Sequence, residues 1–177
     1  MKRSFQSLSP QEALHVAVFI EERNSLIYHQ FAEMFVSAQE FGSLELAGVL
    51  WDMAVEERHH STLLQDRYNA LFGRASCALT DADILEIVEM PQLMNLNMFD
   101  SSAESAHLQA LRLALCAEKQ ARSFYTEIVE TVDDPDLRAL YAELSNFEAD
   151  HVEFLERKLA KQQDVGISGE GEYDTNL

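Results

Sequence analysis

Two Glu-x-x-His pairs are the residues of this sequence whose types and spacing most directly suggest chemistry. Glu57 and His60 form one pair, and Glu148 and His151 form the other. Residues three apart project from one face of an α-helix, so each pair would present a carboxylate and an imidazole side by side. Both groups are ligands of divalent transition metals. Because the pair recurs in each half of the chain, we expect the two pairs to meet.

Two more glutamates interrupt apolar stripes of predicted helices. Glu21 lies in the stripe of the first long helix and Glu118 in that of the third. In the second helix, the adjacent Glu56 and Glu57 belong to rival helical frames. Only the frame that contains Glu57 and His60 is apolar, and its other members are Leu46, Leu50, Met53, Leu64 and Leu71. We therefore expect Glu57 and His60 to be buried and Glu56 to face solvent.

Helix start and stop signals predict an all-α bundle of four long helices. The long helices are expected over residues 10 to about 39, 43 to about 72, 101 to about 132 and 135 to about 161, with a short helix over residues 80 to about 89. The segment 73–100 is long enough to span the ~45 Å length of a 30-residue helix. The second and third long helices are therefore predicted to be parallel and joined by a long crossover.

The two halves repeat each other in register. Tyr28 follows Glu21 by seven residues, as Tyr125 follows Glu118. Asp133 lies midway between Glu118 and Glu148, so a hairpin that turns there sets these glutamates at one level of the bundle. The same arithmetic places the first turn near residues 39–40. The six candidates are thus expected in one layer.

Burying four carboxylates without compensation would be costly. Two divalent cations would offset their four negative charges, and both histidines would bind as neutral imidazoles. Oxygen and imidazole ligands without thiolate favour iron or manganese, with zinc as a further candidate. The predicted metal ligands are Glu21, Glu57, His60, Glu118, Glu148 and His151. Tyr28 and Tyr125 are either donors that orient ligand carboxylates or plain core aromatics.

Composition excludes several other classes of function. The 177 residues carry a formal net charge of −18, which opposes binding to nucleic acid or to anionic membrane surfaces. No apolar run is long enough to span a membrane, and no secretory signal is recognisable. Cys77 and Cys116 stand apart, which favours a reduced, cytoplasmic chain. Residues 1–163 are predicted to form the bundle, and residues 164–177 a disordered acidic tail.

At these six residues the chain resembles the ferritin-like superfamily, and within it the rubrerythrin family. One Glu from each of two helices and Glu-x-x-His from each of the other two is the ligand set of ferritin-like carboxylate proteins. The resemblance implies a ferritin-like four-helix bundle over about residues 10–160 that holds two iron ions. It also implies that the carboxylates of Glu57 and Glu148 bridge the ions.

The sequence departs from that family at three points. Rubrerythrins usually carry a further Glu one turn after the third-helix ligand, where this chain has Ala121. Their rubredoxin-like Cys-x-x-Cys module is absent, so an external electron donor is expected. Bacterioferritins bind haem through a Met directly after the second-helix Glu, where this chain has Arg58, so no haem is expected. No short fifth helix of the kind that storage cages use is recognisable, which favours a homodimer.

The resemblance implies a di-iron oxidoreductase that reduces O₂ or hydrogen peroxide, oxidises ferrous iron, or does both. Alternatives are an iron storage or delivery protein with a ferroxidase site, a non-catalytic metal-binding bundle and a substrate hydroxylase. The remaining histidines are expected at the surface: His15, His29, His59 and His107. Arg122 either pairs with a ligand carboxylate or reaches solvent.

Overall fold

The fold consists of helices throughout the part of the chain that is described. The computed structural model describes residues 4–38, 43–73, 76–88 and 106–168, with side chains as far as residue 161. After a 3₁₀ turn at Phe5–Ser7, the α-helices are α1 (Pro10–Ala38), α2 (Ser43–Phe72), α3 (Asp81–Val88), α4 (Ala106–Val129) and α5 (Pro135–Ser168). The predicted all-α class is confirmed, and α1, α2 and α3 match their predicted boundaries within one residue, whereas α4 ends three residues earlier than predicted and α5 extends further.

Side-chain caps fix where three of these helices begin. At the start of α1, the backbone N–H of Ser9 donates to the carboxylate of Glu12 at 2.9 Å, and the N–H of Glu12 donates to the hydroxyl of Ser9. Thr80 and Asp83 make the same pair of hydrogen bonds at the start of α3. Asp134 accepts hydrogen bonds from the first backbone N–H groups of α5, at 2.9 and 3.0 Å. Each cap satisfies donors that the helix itself leaves unpaired.

The end of α2 is set by Gly73. Its φ of 63° lies in the left-handed region, which a residue without Cβ adopts at little cost. Its N–H still donates to the carbonyl of Asn69 at 2.9 Å, which closes the last helical turn as expected at a helix C-terminus.

The long helices pack as two antiparallel hairpins, α1 with α2 and α4 with α5. Ion pairs at both ends of α2 and α5 fix their relative direction: Lys158 lies 3.0 Å from Glu45, and Arg67 lies 3.2 Å from Asp136. These helices are therefore antiparallel. Because α5 is also antiparallel to α4, α2 and α4 are parallel, as the predicted crossover requires. Part of that crossover, residues 89–105, lies outside the described residues.

The apolar core consists of two clusters that leave a gap between them. One cluster joins Leu14, Leu64 and Tyr141 with the α3 residue Ile84, and the other contains residues nearer the opposite end, such as Leu155. Between them, each long helix passes through a short stretch that belongs to neither cluster. The predicted ligand residues lie in these four stretches, so apolar packing on both sides holds this layer in place.

Three expectations need correction, and two others concern residues that are not described. His107 is buried rather than exposed, and its ring stacks on Phe35 with centroids 4.3 Å apart. Leu71, assigned to the buried face, is exposed. The helical backbone of α5 continues to Ser168, so the predicted tail boundary at residue 163 falls inside the helix. Residues 169–177 and the predicted cap at residues 101–104 lie outside the described residues.

No helix in the described ranges combines the length and the apolar composition needed to cross a membrane.

Candidate metal centre

Six donor residues from four helices converge at the middle of the bundle. α1 and α4 supply one glutamate each, and α2 and α5 supply a Glu-x-x-His pair each. All four carboxylates are fully buried, and the two imidazoles are nearly so. These residues are Glu21, Glu57, His60, Glu118, Glu148 and His151. The structure thus brings together the whole set that the sequence singled out.

The helical frame decides which acidic residues reach this layer. Glu57 and His60 point inward, whereas Glu56 and His59 are exposed, as the apolar periodicity predicts. Glu22, next to Glu21, is likewise exposed. Adjacent residues on a helix project about 100° apart, so only one residue of each neighbouring pair can join the interior.

The donor atoms fall into two groups, each compact enough for one cation. In each group, one donor atom from every residue lies within 4.8 Å of the others. The His151 group comprises Glu57, Glu118, Glu148 and His151; the His60 group comprises Glu21, Glu57 and His60. Glu57 is common to both, as expected of a bridging carboxylate. Glu148, the second predicted bridge, lies in the His151 group alone.

Both histidines turn the Nδ1 atom toward the carboxylates. His60 Nδ1 lies 3.3 Å from Glu21 Oε2. His151 Nδ1 lies 3.1 Å from Glu57 Oε1 and 3.4 Å from Glu118 Oε1. The Nε2 atom of His151 is thereby left to face the exposed Glu56 at the edge of the bundle.

Tyr28 and Tyr125 each donate a short hydrogen bond across the interface between the hairpins. The hydroxyl of Tyr28 on α1 donates to Glu118 on α4, and the hydroxyl of Tyr125 on α4 donates to Glu21 on α1. Both tyrosines are fully buried. The contacts match the role of orienting donors, one of the two roles left open by the sequence, and they tie each non-paired glutamate to the opposite hairpin.

Several polar atoms of the layer lack hydrogen bonds within the described residues. Both carboxylate oxygens of Glu57 and Glu148, one oxygen of Glu118 and Nδ1 of His151 are buried in this state. Nδ1 of His151 comes close to carboxylate oxygens without hydrogen-bond geometry. Buried polar atoms are normally paired. Lone pairs that face a common space without hydrogen-bond donors repel one another, and a bound cation would stabilise them.

The electrostatics of the layer show the cost of leaving it without a cation. Burial, reinforced by neighbouring carboxylates, raises the pKa of Glu57 and of Glu148 well above its usual value. Burial also disfavours the charged form of His151, but the nearby carboxylates of Glu118 and Glu57 outweigh it and raise the pKa of His151 to about 11. Protons would therefore neutralise the layer in the absence of metal. Cation binding would displace them.

Two residues that contact or adjoin the layer were not identified from the sequence. Glu56 was assigned to solvent, yet its Oε2 lies 3.1 Å from Nε2 of His151. Asn24 is fully buried, and its amide oxygen and nitrogen make no hydrogen bond within the described residues. Its position three residues after Glu21 corresponds to Ala121 after Glu118. This equivalence between the two halves is the feature of the sequence that could have pointed to Asn24.

Arg122 is exposed, in agreement with the solvent-facing interpretation and not with a carboxylate partner. The two cysteines are unpaired; Cys77 is half-buried and Cys116 is exposed.

Comparison with known families bears on the second hairpin. Residues 109–173, which include Glu118 and the Glu148/His151 pair, match the family model described as Rubrerythrin. This segment is of the rubrerythrin type. The resemblance inferred from the sequence is thereby confirmed for this segment.

A solved structure from Pyrococcus furiosus, titled as a hypothetical protein, has the same fold. The two chains superpose with a TM-score of 0.65 at 19% identity, over 89% of this chain and 94% of the other. At that identity the similarity concerns the fold alone. No match was found among curated proteins.

Proposed function

We propose that this protein is a di-iron oxidoreductase of the rubrerythrin type, which reduces hydrogen peroxide or O₂. The observation that carries the proposal is the convergence of four buried carboxylates and two imidazoles. Within the described residues, both oxygens of Glu57 and Glu148, one oxygen of Glu118 and Nδ1 of His151 lack hydrogen-bond partners. This donor set suits iron. Two ferrous ions held there would supply one electron each, which matches the two electrons and two protons that convert peroxide into two waters.

The chain's own residues would prepare the layer for that chemistry. Tyr28 and Tyr125 hold Glu118 and Glu21 in place from the opposite hairpin, so the carboxylates do not have to reorganise when a cation binds. The apolar clusters on either side limit the access of water. Glu57, common to both donor groups, would couple the two cations.

The test begins with the chelator-treated full-length protein, loaded anaerobically with ferrous iron. We expect two ions per chain by elemental analysis. Mixing with peroxide or O₂ in a stopped-flow spectrometer should then give a rapid absorbance change, and turnover should continue when a reductant is present. Glu57→Gln should abolish both the stoichiometry and the fast phase, whereas the exposed control Glu22→Gln should change neither.

Other outcomes would select a rival function. Accumulation of iron well beyond two ions per chain would favour storage with a ferroxidase step. Two tightly bound ions that react with neither oxidant would favour a structural metal site. Failure to bind any metal would overturn the proposal.

We also propose that the protein is a homodimer and that a separate reductant supplies its electrons. The groove between α1 and α2, of about 640 Å³, is bordered by large apolar side chains that are exposed: Val36, Leu44 and Trp51. Apolar surface of this kind is typical of interfaces. Light scattering should give a dimer that Trp51→Glu converts into a monomer, and Leu63→Glu, elsewhere on α2, should leave it intact. A dimeric Trp51→Glu variant would exclude this face.

A cytoplasmic location remains a prediction. It is supported by the separation of Cys77 and Cys116, which are both free thiols.

A further inference from the structure

The two halves of the metal layer differ at the residue that precedes each paired glutamate. Glu56 precedes Glu57, and Phe147 precedes Glu148. Each of these residues contacts the histidine of the other hairpin. Oε2 of Glu56 lies 3.1 Å from Nε2 of His151, whereas the ring of Phe147 lies 5.0 Å, centroid to centroid, from that of His60. Equivalent positions therefore give one histidine a carboxylate and the other an aromatic ring.

The two contacts have different consequences for the histidine. A carboxylate that accepts from Nε2–H fixes the tautomer in which Nδ1 carries a lone pair, and it makes that lone pair a stronger donor. The geometry at His151 meets this condition, since its Nδ1 faces Glu57 and Glu118. An aromatic ring packs against the imidazole but accepts no comparable hydrogen bond. His60 therefore lacks this support from Phe147.

The two donor groups also differ in how many carboxylates they contain, and this difference again favours the His151 group. The group around His151 has three carboxylates and the imidazole, whereas the group around His60 has two carboxylates and the imidazole. A larger number of anionic donors strengthens the binding of a divalent cation. This observation is independent of Glu56 and Phe147, because it concerns only the residues inside the layer.

We propose that the layer binds its two divalent cations unequally, with the His151 group as the tighter and first-filled position and Glu56 as its positioning residue. The inference rests on the proposed function only in assuming that the layer binds two cations. It follows that the His60 position, which has fewer protein donors, is the one from which a cation leaves first. An exogenous oxygen ligand would also find more room there.

Anaerobic titration of the full-length, chelator-treated protein with Co²⁺ tests the proposal, because the visible bands of Co²⁺ report its ligands. We expect two steps whose dissociation constants differ by about tenfold or more. Glu56→Ala should weaken the first step by roughly 10- to 100-fold and alter its spectrum. Glu56→Gln, which keeps an acceptor oxygen, should restore part of the loss. Asp52→Ala removes an exposed carboxylate one turn earlier on the same helix and should have no effect.

Phe147→Glu provides the converse test. The side chain is 41% exposed, so a carboxylate is tolerated there and would lie beside His60. The second step should tighten, and the gap between the two constants should narrow. Melting temperatures of the Glu56 and Asp52 variants in excess chelator should agree, which would separate a positioning role from a structural one.

The outcomes distinguish this inference from the proposed function. Two bound ions with equal constants, or a Glu56→Ala variant that behaves like Asp52→Ala, would overturn the inequality and leave the di-metal layer intact. A shift confined to the second step would reverse the assignment of the positions. A wild-type protein that binds no Co²⁺ would overturn the proposed function itself.

Discussion

Replacing Glu57 with Gln should change the stability of the protein in opposite directions with and without metal. Glu57 is fully buried, neither of its carboxylate oxygens has a hydrogen-bond partner in the described residues, and it belongs to both donor groups. Without a cation, the buried carboxylate destabilises the folded state. With cations, it becomes a shared ligand. Gln has nearly the same shape but carries no charge.

The size of the effect without metal follows from the raised pKa of Glu57, caused first by burial and then by Glu21 and Glu118. Above pH 4.5, the ordinary value for this group, the unfolded chain releases the proton while the folded chain retains it. The free energy of unfolding then falls by about 1.4 kcal/mol per pH unit until the folded-state pKa is passed. Gln does not titrate and avoids this loss, so the advantage of the variant in unfolding free energy grows to at most ~3.5 kcal/mol at pH 7.

When metal is present, Glu57→Gln should lower the free energy of unfolding instead of raising it. A cation present at 100 times its dissociation constant stabilises the folded state by about 2.7 kcal/mol, so two positions contribute roughly 5 kcal/mol. Glu57→Gln weakens both positions at once, because the residue serves both groups. For a chain of this size, 1 kcal/mol corresponds to roughly 2–4 °C in melting temperature. The variant should therefore melt higher than the wild type in chelator and lower when metal is present.

Thermal unfolding followed by circular dichroism at pH 4.5, 6 and 7, with EDTA or with Zn²⁺, measures both effects. Glu22→Gln serves as the control, since it removes an exposed carboxylate beside Glu21 and should shift neither curve. A Glu57→Gln variant that melts below the wild type in EDTA at pH 7 would refute the cost assigned to the buried carboxylate. A variant that keeps the full metal-induced shift would remove Glu57 from the site.

Two further predictions concern the supporting hydrogen bonds. Tyr28→Phe and Tyr125→Phe each remove one hydroxyl that donates to Glu118 or Glu21, and each should weaken metal binding by roughly 10- to 100-fold; unchanged Co²⁺ affinity in either variant would mean that its hydroxyl does not position the carboxylate. Asp134→Ala removes the cap of α5 and should cost about 0.5–2 kcal/mol in urea unfolding without affecting metal stoichiometry; an unchanged urea midpoint would contradict this cap energy.

The sequence predicted the layer because every member of it conflicts with its surroundings. A carboxylate in an apolar stripe is visible in periodicity alone, and this identified Glu21 and Glu118. The choice of Glu57 over Glu56 followed from the same rule. The hairpin arithmetic through Asp133 then set the levels of the helices, because a helix rises by a constant 1.5 Å per residue.

Contacts between hairpins were less predictable. Tyr28 follows Glu21 on the same helix, yet it bonds to Glu118, since seven residues separate two side chains by about 10 Å along a helix. Its partner depends on how α1 and α4 are aligned. His107 was misplaced for the same reason, because its burial depends on the opposing ring of Phe35. Periodicity reports which face is buried, but not what the opposite helix presents there.

Glu56 illustrates a different limit, because a residue can be largely exposed and still act on a buried one. Its side chain is 60% exposed, and its carboxylate nevertheless reaches Nε2 of His151 at the edge of the layer. The hydrophobic pattern assigns such a residue to solvent and is correct about its exposure. What the pattern cannot show is that the neighbouring helix places an imidazole edge there. Residues at the rim of a buried polar layer therefore need the inter-helix alignment before a role can be assigned.

The arrangement also explains how a bundle can carry this layer and still fold. The apolar clusters on either side draw residues from all four long helices, so the framework does not depend on the layer for its packing. Protonated Glu57 and Glu148 and a charged His151 provide neutralisation until cations arrive. Metal binding would then exchange protons for cations in a site that is already assembled. This argues that the helices keep their positions on loading, and that adjustment is confined to the side chains of the layer.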